Sequence, residues 1–479
     1  METILWHDYE TFGTDPALDR PSQFAAIRTN LDLEPVEEPV MLYCAPSDDV
    51  LPSLDACLIT GITPQAALEK GVPEPEFVAH IHDEFIRAGT CGAGYNSIRF
   101  DDEVTRHCFY RNFYDPYARE WQNGNSRWDI IDMVRATYAL RPDGIEWPES
   151  ESGIPSFRLE LLSAANNLAH ESAHDALSDV RATIALAKLI RDMHPRLYEY
   201  CWQLRDKHRV SRMLDLHQHK PVVHVSSKIP ASRGCTSVFM PLAKHPQNGN
   251  GVICIDLSED PKNWIELSVE DMQERLYKKS EDLEEGEARI PVKTIHLNRS
   301  PIICPLSMLD AAAQQRLQID LDACEQHWQQ LLAETDLDKK ISRLFNEPFL
   351  KTRDTEASLY SRFIPDIDKK LCQEVVDANE EDLKKREFVF SDNRLNELLF
   401  RYKARHFPAS LDAEQTAIWE EYVAQRYLAE IDGNKSVFDQ HMNDLNERMS
   451  EDRSPFDRTI LEQLKIWMLD FRKRYNRAL

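Results

Sequence analysis

Trp6-His7-Asp8-Tyr9-Glu10-Thr11-Phe12-Gly13 follows directly on a short apolar run, Thr3-Ile4-Leu5, and sets two acids one residue apart. If that run is a strand that continues through them, Asp8 and Glu10 share a face, because side chains alternate along an extended chain. Two neighbouring carboxylates repel each other, so they must be solvated, protonated or bridged by a cation. Hard oxygen donors in a cluster suit Mg²⁺ or Mn²⁺. In a chain with 82 acids an Asp-x-Glu also arises by chance about three or four times, so a solvated strand end is the bland alternative for this pair alone.

Outward from this stretch, residues 3 to about 190 alternate short apolar runs with helical periodicity, which predicts an α/β domain around a mixed sheet. Residues 3–6 and 40–44 read as strands. Phe77, Ile81 and Phe85 predict a helix over 75–87, and Ala182, Leu186 and Leu189 one over 175–193. Between about 220 and 305, β-rich runs at 222–225, 237–240, 252–255 and 294–297 are separated by Gly, Pro and Asn, as in a small barrel or sandwich. A helix over 269–278 with Ser268 as N-cap and an acidic loop at 281–287 interrupt them. From about 355 the pattern is helical, with stripes such as Leu395, Leu398 and Leu399, or Ile460, Leu464 and Trp467. The expected domains are 1–194, 195–350 and 351–479, in keeping with 479 residues at about 150 per domain.

Composition narrows the function classes. With 42% hydrophobic and 29% charged residues, the chain is globular rather than disordered. No apolar run approaches the roughly 18 residues that span a bilayer, and acids stand near the N-terminus where a signal peptide needs a basic flank, so a cytoplasmic protein is expected. Ten scattered cysteines without a Cys-x-x-Cys pair read as reduced thiols rather than a zinc site. A net charge of −25 argues against a chain that coats polyanions with its whole surface; a nucleic-acid enzyme would have to gather its basic residues locally.

Two further acidic features follow Asp8 and Glu10. Gly94-Tyr95-Asn96-Ser97-Ile98-Arg99-Phe100-Asp101-Asp102 reads as a strand end running into a helix start, where either acid could simply cap the helix. His174-Asp175-Ala176-Leu177-Ser178-Asp179 opens the long helix near 175, and capping again explains an acid there. The order of the pieces is more telling than any one of them. Asp and Glu on the first strand, a third acid after Asn-x-x-x-Phe, and a later His-x-x-x-x-Asp form the pattern of the DEDD exonucleases with a catalytic histidine. Two-metal hydrolysis of a phosphodiester needs about four carboxylates to hold cations roughly 3.5 to 4 Å apart, and a histidine can take the proton of the attacking water.

Longer strings resemble bacterial exonuclease I, a family of single-strand-specific 3′→5′ deoxyribonucleases. They are His7-Asp8-Tyr9-Glu10-Thr11-Phe12-Gly13, Asp19-Arg20-Pro21-Ser22-Gln23-Phe24-Ala25-Ala26-Ile27-Arg28-Thr29, Leu58-Ile59-Thr60-Gly61-Ile62-Thr63-Pro64 and Phe109-Tyr110-Arg111-Asn112-Phe113-Tyr114-Asp115-Pro116-Tyr117. The resemblance is dense before about 230 and looser afterwards. It implies an α/β ribonuclease H-like nuclease domain, an SH3-like β-rich domain and an all-α C-terminal domain around a DNA groove. It implies Asp8, Glu10, Asp101 and Asp179 as ligands of two Mg²⁺ ions, with Mn²⁺ as a substitute, His174 as general base and Arg158 near the scissile phosphate. A role in DNA repair and recombination and a partner, the single-stranded DNA-binding protein with its acidic C-terminal tail, follow from the same resemblance, with Lys220 near the pocket for that tail and the enzyme a monomer.

For the rest of the strand, residues 104–141 carry six arginines (106, 111, 119, 127, 135 and 141) interleaved with aromatics. Arginines neutralise phosphates and rings stack unpaired bases, so Arg106, Tyr117, Trp121 and Arg135 are expected contacts, set against a reading in which Phe109, Phe113 and Trp128 are core. A second basic stretch, from Arg196 to Lys220, adds Tyr200 and Lys207 and a route to processivity. Glu10 is expected to touch substrate as well as metal. A relative that prefers RNA or trims short oligonucleotides is the alternative enzyme, since the acids do not read the sugar. A binding module with an inactive nuclease domain is the alternative outside enzymes.

Overall fold

The structure, a computed structural model, describes residues 2–168, 175–278, 282, 289–346, 354–430 and 433–476. Strand β1 (Thr3–Thr11) runs antiparallel to β2 (Pro21–Thr29), and β2 antiparallel to β3 (Val40–Ala45). The short β4 (Val72–Pro73) pairs parallel with β3, and β5 (Thr90–Gly94) parallel with β1. The sheet is therefore mixed, as expected. The first strand does continue through the two acids, because β2 pairs with it from Ile4↔Thr29 to Glu10↔Gln23; a bulge between Glu10 and Thr11 then bends it away. All nine residues of β2 are buried, so it lacks the alternation by which a half-exposed strand is recognised.

Helices α1 (Leu54–Thr60), α2 (Pro64–Lys70), α3 (Glu74–Ile86) and α4 (Asp101–Arg111) accompany this sheet. Phe77, Ile81 and Phe85 of α3 bury their predicted stripe against Leu5 and Tyr9 of β1, Phe24 of β2 and Phe109 of α4. Strand β6 (Ser126–Asp129) leads to α5 (Ile131–Leu140), α6 (Leu159–Ala165) and α7 (Ala176–Met193), the predicted long helix, followed by α8 (Pro195–Gln203) and α9 (Lys207–Met213).

The β-rich segment forms an antiparallel sheet of β7 (Val222–Val225), β8 (Thr236–Lys244), β9 (Gly251–Asp256), β10 (Val292–His296) and β11 (Ile302–Cys304), ordered β10-β9-β8-β7-β11. Helix α10 (Val269–Tyr277) lies where it was read, and the Ser268 hydroxyl accepts the Asp271 N–H at 3.1 Å. The acidic loop at 281–287 lies outside the described residues except for Asp282. Three helices the sequence did not suggest, α11 (Ala311–Leu317), α12 (Leu321–Ala333) and α13 (Leu337–Ser342), close a core with Val238, Ile253 and Ile255. The C-terminal part is helical: α14 (Asp366–Val376), α15 (Glu380–Lys385), α16 (Asn393–His406), α17 (Ala413–Tyr427), α18 (Val437–Ser450) and α19 (Pro455–Tyr475).

By contacts the chain divides into two compact units, one of 1–126, 171–181 and 350–479, the other of 127–170 and 182–349. The first unit joins the N-terminal sheet to the C-terminal helices. Phe12, at the end of β1's run, shares a core with Trp419, Val423, Leu464 and Phe471. Beside it lies a buried ion network: Glu356 accepts from Arg20 and Arg405, both at 2.6 Å, and Arg405 also holds Asp49 at 2.9 Å. Burial alone would raise the Asp49 carboxyl, but Arg405 and Arg20 outweigh it and hold it at about 2. All ten cysteines are buried and free, as their spacing suggested. Among the described residues no helix is long and apolar enough to cross a membrane.

Candidate active site

β1 presents Asp8 and Glu10 on one face, and the first turn of α7 brings Asp179 to them. A carboxylate oxygen from each of the three lies within 4.8 Å of the others. Asp101 reaches the same place from α4. Strand β5 pairs with β1 only as far as Trp6↔Ala93, so the edge of β1 beyond it is open, and the Tyr9 N–H donates to Asp101 Oδ1 at 3.0 Å. The hydrogen bond fixes Asp101 between the positions of Asp8 and Glu10. Asp101 opens α4 without serving as its cap; the cap position is Phe100, with no side-chain hydrogen bond. Asp102 points elsewhere, to Arg119.

The electrostatics are those of a cage of like charges. The Asp8 carboxyl is held well above its usual range, first by burial and then by the negative charges of Asp101, Glu10, Asp179 and Asp175. Glu10, only 9% exposed, is pushed up to about 8 by burial and then by Asp179, Asp101 and Asp175. Such a set is stable with all its members ionised only if cations sit among them. The donors are carboxylate oxygens throughout, which fits Mg²⁺ or Mn²⁺ and not a soft ion. The residues present fit a divalent metal centre.

Two members of the site escaped the sequence reading. Asp175 looked like a helix opener and does accept the Ser178 N–H at 3.3 Å, yet its charge is also felt by Asp8 and Glu10. Gln23, 1% exposed and opposite Glu10 in the β1–β2 register, accepts the Ala176 N–H at 3.4 Å and so ties the start of α7 to the strands. No motif marks it, because the contact spans 153 residues.

The other expected residues fall differently. His174 lies outside the described residues. The arginine-rich stretch is not a phosphate-binding surface, a correction to the sequence reading: Arg106, Arg111, Arg119, Arg127 and Arg135 are all buried. The charges of Arg106, Arg111, Arg119 and Arg135 are met by acids distant in sequence or one turn away, and Arg127 donates to the Asn298 carbonyl at 3.1 Å. Arg106 is bidentate to Glu120 at 2.7 and 2.8 Å and also donates to Glu103 and the Tyr360 hydroxyl, so its place among strand contacts is withdrawn. Arg135 pairs with Asp132 at 2.6 Å and packs over the Phe157 ring, and is withdrawn likewise. Phe109, Phe113 and Trp128 are core, as the bland reading held.

Tyr117 is half-buried between Arg106 and Phe363, whereas Trp121 is 65% exposed. In the second unit the exposed Arg158 bonds Glu160 through Nε at 2.7 Å. Tyr200 is half-buried and donates its hydroxyl to the Ile303 carbonyl at 2.7 Å, and Lys207 is exposed at the start of α9.

A mixed α/β sheet whose central strand carries two acids, with two more supplied by flanking helices, defines a nuclease of the exonuclease class. Residues 5–187 match the exonuclease family, 205–347 the exonuclease I SH3-like domain and 353–471 the exonuclease I C-terminal domain. The chain is 46% identical over 432 residues to exodeoxyribonuclease I of Escherichia coli, covering 90% of this chain and 91% of that protein. It superposes on an exonuclease I from Methylocaldum szegediense, described as moderately thermophilic, with a TM-score of 0.93 and 48% identity, covering 98% of this chain and all of the other. A zinc-bound complex of the Escherichia coli enzyme with single-stranded DNA gives a TM-score of 0.94 and 42% identity, covering 98% and 99%. The chain belongs to the exonuclease I family, with its exonuclease, SH3-like and C-terminal domains, and is a nuclease.

Proposed function

We propose that the chain degrades single-stranded DNA from its 3′ end to 5′-mononucleotides, with two Mg²⁺ ions held by Asp8, Glu10, Asp101 and Asp179, and with Mn²⁺ able to replace them. The observation that carries the reading is the meeting of Asp8, Glu10 and Asp179 within 4.8 Å, with Asp101 pinned to the backbone between the first two. When bound, the ions polarise the attacking water and stabilise the leaving oxygen. The chain's own part is to hold them and to handle the proton. Tyr9 N–H orients Asp101, Gln23 ties down the turn that carries Asp179, and His174 takes the proton of the water. Arg158, with its guanidinium exposed, has room to meet a phosphate, and the open face of Trp121 suits stacking on an unpaired base. Tyr117, Tyr200 and Lys207 remain proposed contacts on the same terms, as does Glu10 toward the substrate.

The complex of the Escherichia coli relative with single-stranded DNA supports the choice of substrate. With that substrate come a place in DNA repair and recombination, a cytoplasmic location, a monomeric enzyme, the single-stranded DNA-binding protein as partner through its acidic tail, and domain limits near residues 194 and 350. The test is degradation of 3′-labelled and 5′-labelled single strands, duplex and RNA by wild type and Asp8→Ala, in Mg²⁺ and in EDTA. The expected result is immediate release of the 3′ label as mononucleotide from single-stranded DNA alone, lost in EDTA and in Asp8→Ala. Early release of the 5′ label, or equal turnover of RNA, would overturn the assignment.

A further inference from the structure

We propose that Arg119 is a positioning residue for the acid cage: it holds Asp102 behind the first turn of α4, and thereby keeps the neighbouring Asp101 turned toward Asp8 and Glu10. The proposal rests on the reading of those acids as metal ligands. Arg119 is 2% exposed, and its Nη2 donates to Asp102 Oδ1 at 2.6 Å. Its guanidinium lies 4.5 Å from the centroid of the Phe85 ring. His7 Nε2 stands 3.9 Å from the same Asp102 oxygen, and the His7 ring meets Phe85 edge-on at 4.9 Å. Arg119, always protonated, is the fixed cation of this cluster. Room for the guanidinium exists because position 92 is glycine; a Cβ there would sit 2.9 Å from Phe85 and 3.2 Å from Arg119 Nη1.

The cluster is the reverse side of the site. His7 and Asp8 are consecutive on β1 and so point to opposite faces. Asp101 and Asp102 are consecutive on a helix and so point about 100° apart. The two residues that face the cage each have an immediate neighbour in the buried cluster, and a shift of either neighbour is transmitted through one peptide unit. Three acids crowd the first turn of α4, and each is given a separate partner. Asp101 takes the Tyr9 N–H, Asp102 takes Arg119, and Glu103 takes Arg106 at 2.9 Å. With Arg119 gone, Asp102 would lose the buried cation whose Nη2 donates to its Oδ1, and with it that hold on the first turn of α4. Burying a guanidinium is a poor way to fill space, since taking an ion out of water is costly. Among the described residues Arg119 Nε and Nη1 find no hydrogen-bond partner, so packing alone does not account for the choice of residue. What the charge supplies is a direction for Asp102, and through it for Asp101.

The test is Mn²⁺ binding to the full chain without DNA, followed by the electron paramagnetic resonance signal of the free ion, with Asp8→Ala as the control. Arg119→Met keeps the length of the side chain and removes the charge. It should weaken Mn²⁺ binding about 10- to 100-fold, the range for residues that orient metal ligands. Arg119→Met/Asp102→Asn removes both charges and should bind within about threefold of wild type, a rescue that loss of packing at position 119 would not produce. Unchanged Mn²⁺ affinity in folded Arg119→Met, or a double variant as weak as the single one, would overturn the role of Arg119 while leaving the cage intact. Failure of the wild type itself to bind Mn²⁺ would overturn the metal reading and the proposal with it. Should Arg119→Met not fold, Asp102→Asn carries the test, since it keeps the shape of the side chain and removes the charge that Arg119 holds. Binding weakened threefold or more supports the proposal, and unchanged binding overturns it.

Discussion

Replacing Glu10 by Gln should stabilise the metal-free protein at neutral pH while abolishing its chemistry. Glu10 sits among Asp179, Asp101 and Asp175, 9% exposed, with its carboxyl moved from an ordinary 4.5 to about 8, mainly by burial. In the unfolded chain it ionises near 4.5 and in the folded protein near 8, so between those values the folded state binds the extra proton. Stability is therefore lost as pH rises through that window. The interval from 4.5 to about 8, at about 1.4 kcal/mol per unit, amounts to about 5 kcal/mol at most. Gln keeps the shape and removes the charge. The variant should match the wild type near pH 4.5 and exceed it by about 2 to 5 kcal/mol at pH 8, the lower figure applying where the cage relaxes. At about 2 °C per kcal/mol for a large domain, Tm should rise by about 4 to 10 °C. The assay is thermal unfolding in EDTA at pH values from 4.5 to 8.5. Millimolar Mg²⁺ at pH 8 should then raise Tm of the wild type more than that of the variant, because the ions relieve the same repulsion. A difference in Tm that does not change with pH, or a variant less stable than wild type at pH 8 in EDTA, would refute the reasoning.

Glu356→Gln should destabilise the first unit by about 3 to 5 kcal/mol in urea titrations, since Arg20, Arg401 and Arg405 lose their shared buried carboxylate. The related pairs at Asp49 and Glu74, lowered from 3.8 and 4.5 to about 2, contribute stability that is present above those ordinary values and lost as pH falls toward 2; acid unfolding followed by circular dichroism should show it. Gly92→Ala forces a methyl group against Phe85 and Arg119 and should cost about 1 to 3 kcal/mol, read as a lower urea midpoint. Trp121→Ala, at a position 65% exposed, should leave Tm unchanged and weaken binding of a single-stranded oligonucleotide in EDTA by about 1 to 3 kcal/mol, measured by fluorescence anisotropy.

Much of this arrangement is legible in the residues themselves. The helix at Phe77, Ile81 and Phe85, the long helix carrying Asp179 and the runs at 222–225 and 252–255 all stand where their periodicity put them. β2 was hidden because a strand buried on both faces does not alternate. The acids of the site are marked by their order along the chain, but nothing local separates Asp101 from Asp102. That choice is made by the early end of β5, which frees the Tyr9 N–H, and by Arg119 on the other side. The arginines between 104 and 141 mislead for a related reason. Their sign can be read directly, but some of the partners that neutralise them, such as Glu74 for Arg111, are recruited by the fold from elsewhere in the chain.

The discontinuous first unit has a bearing on synthesis. Arg20 and its partner Glu356 are 336 residues apart, and at a translation rate of about 5 to 20 residues per second roughly 17 to 67 s separate their emergence from the ribosome. Phe12, next to the strand that bears Glu10, waits still longer for Phe471. A growing polypeptide thus carries its acids early, whereas the core that Phe12 enters is complete only once the last helices have emerged.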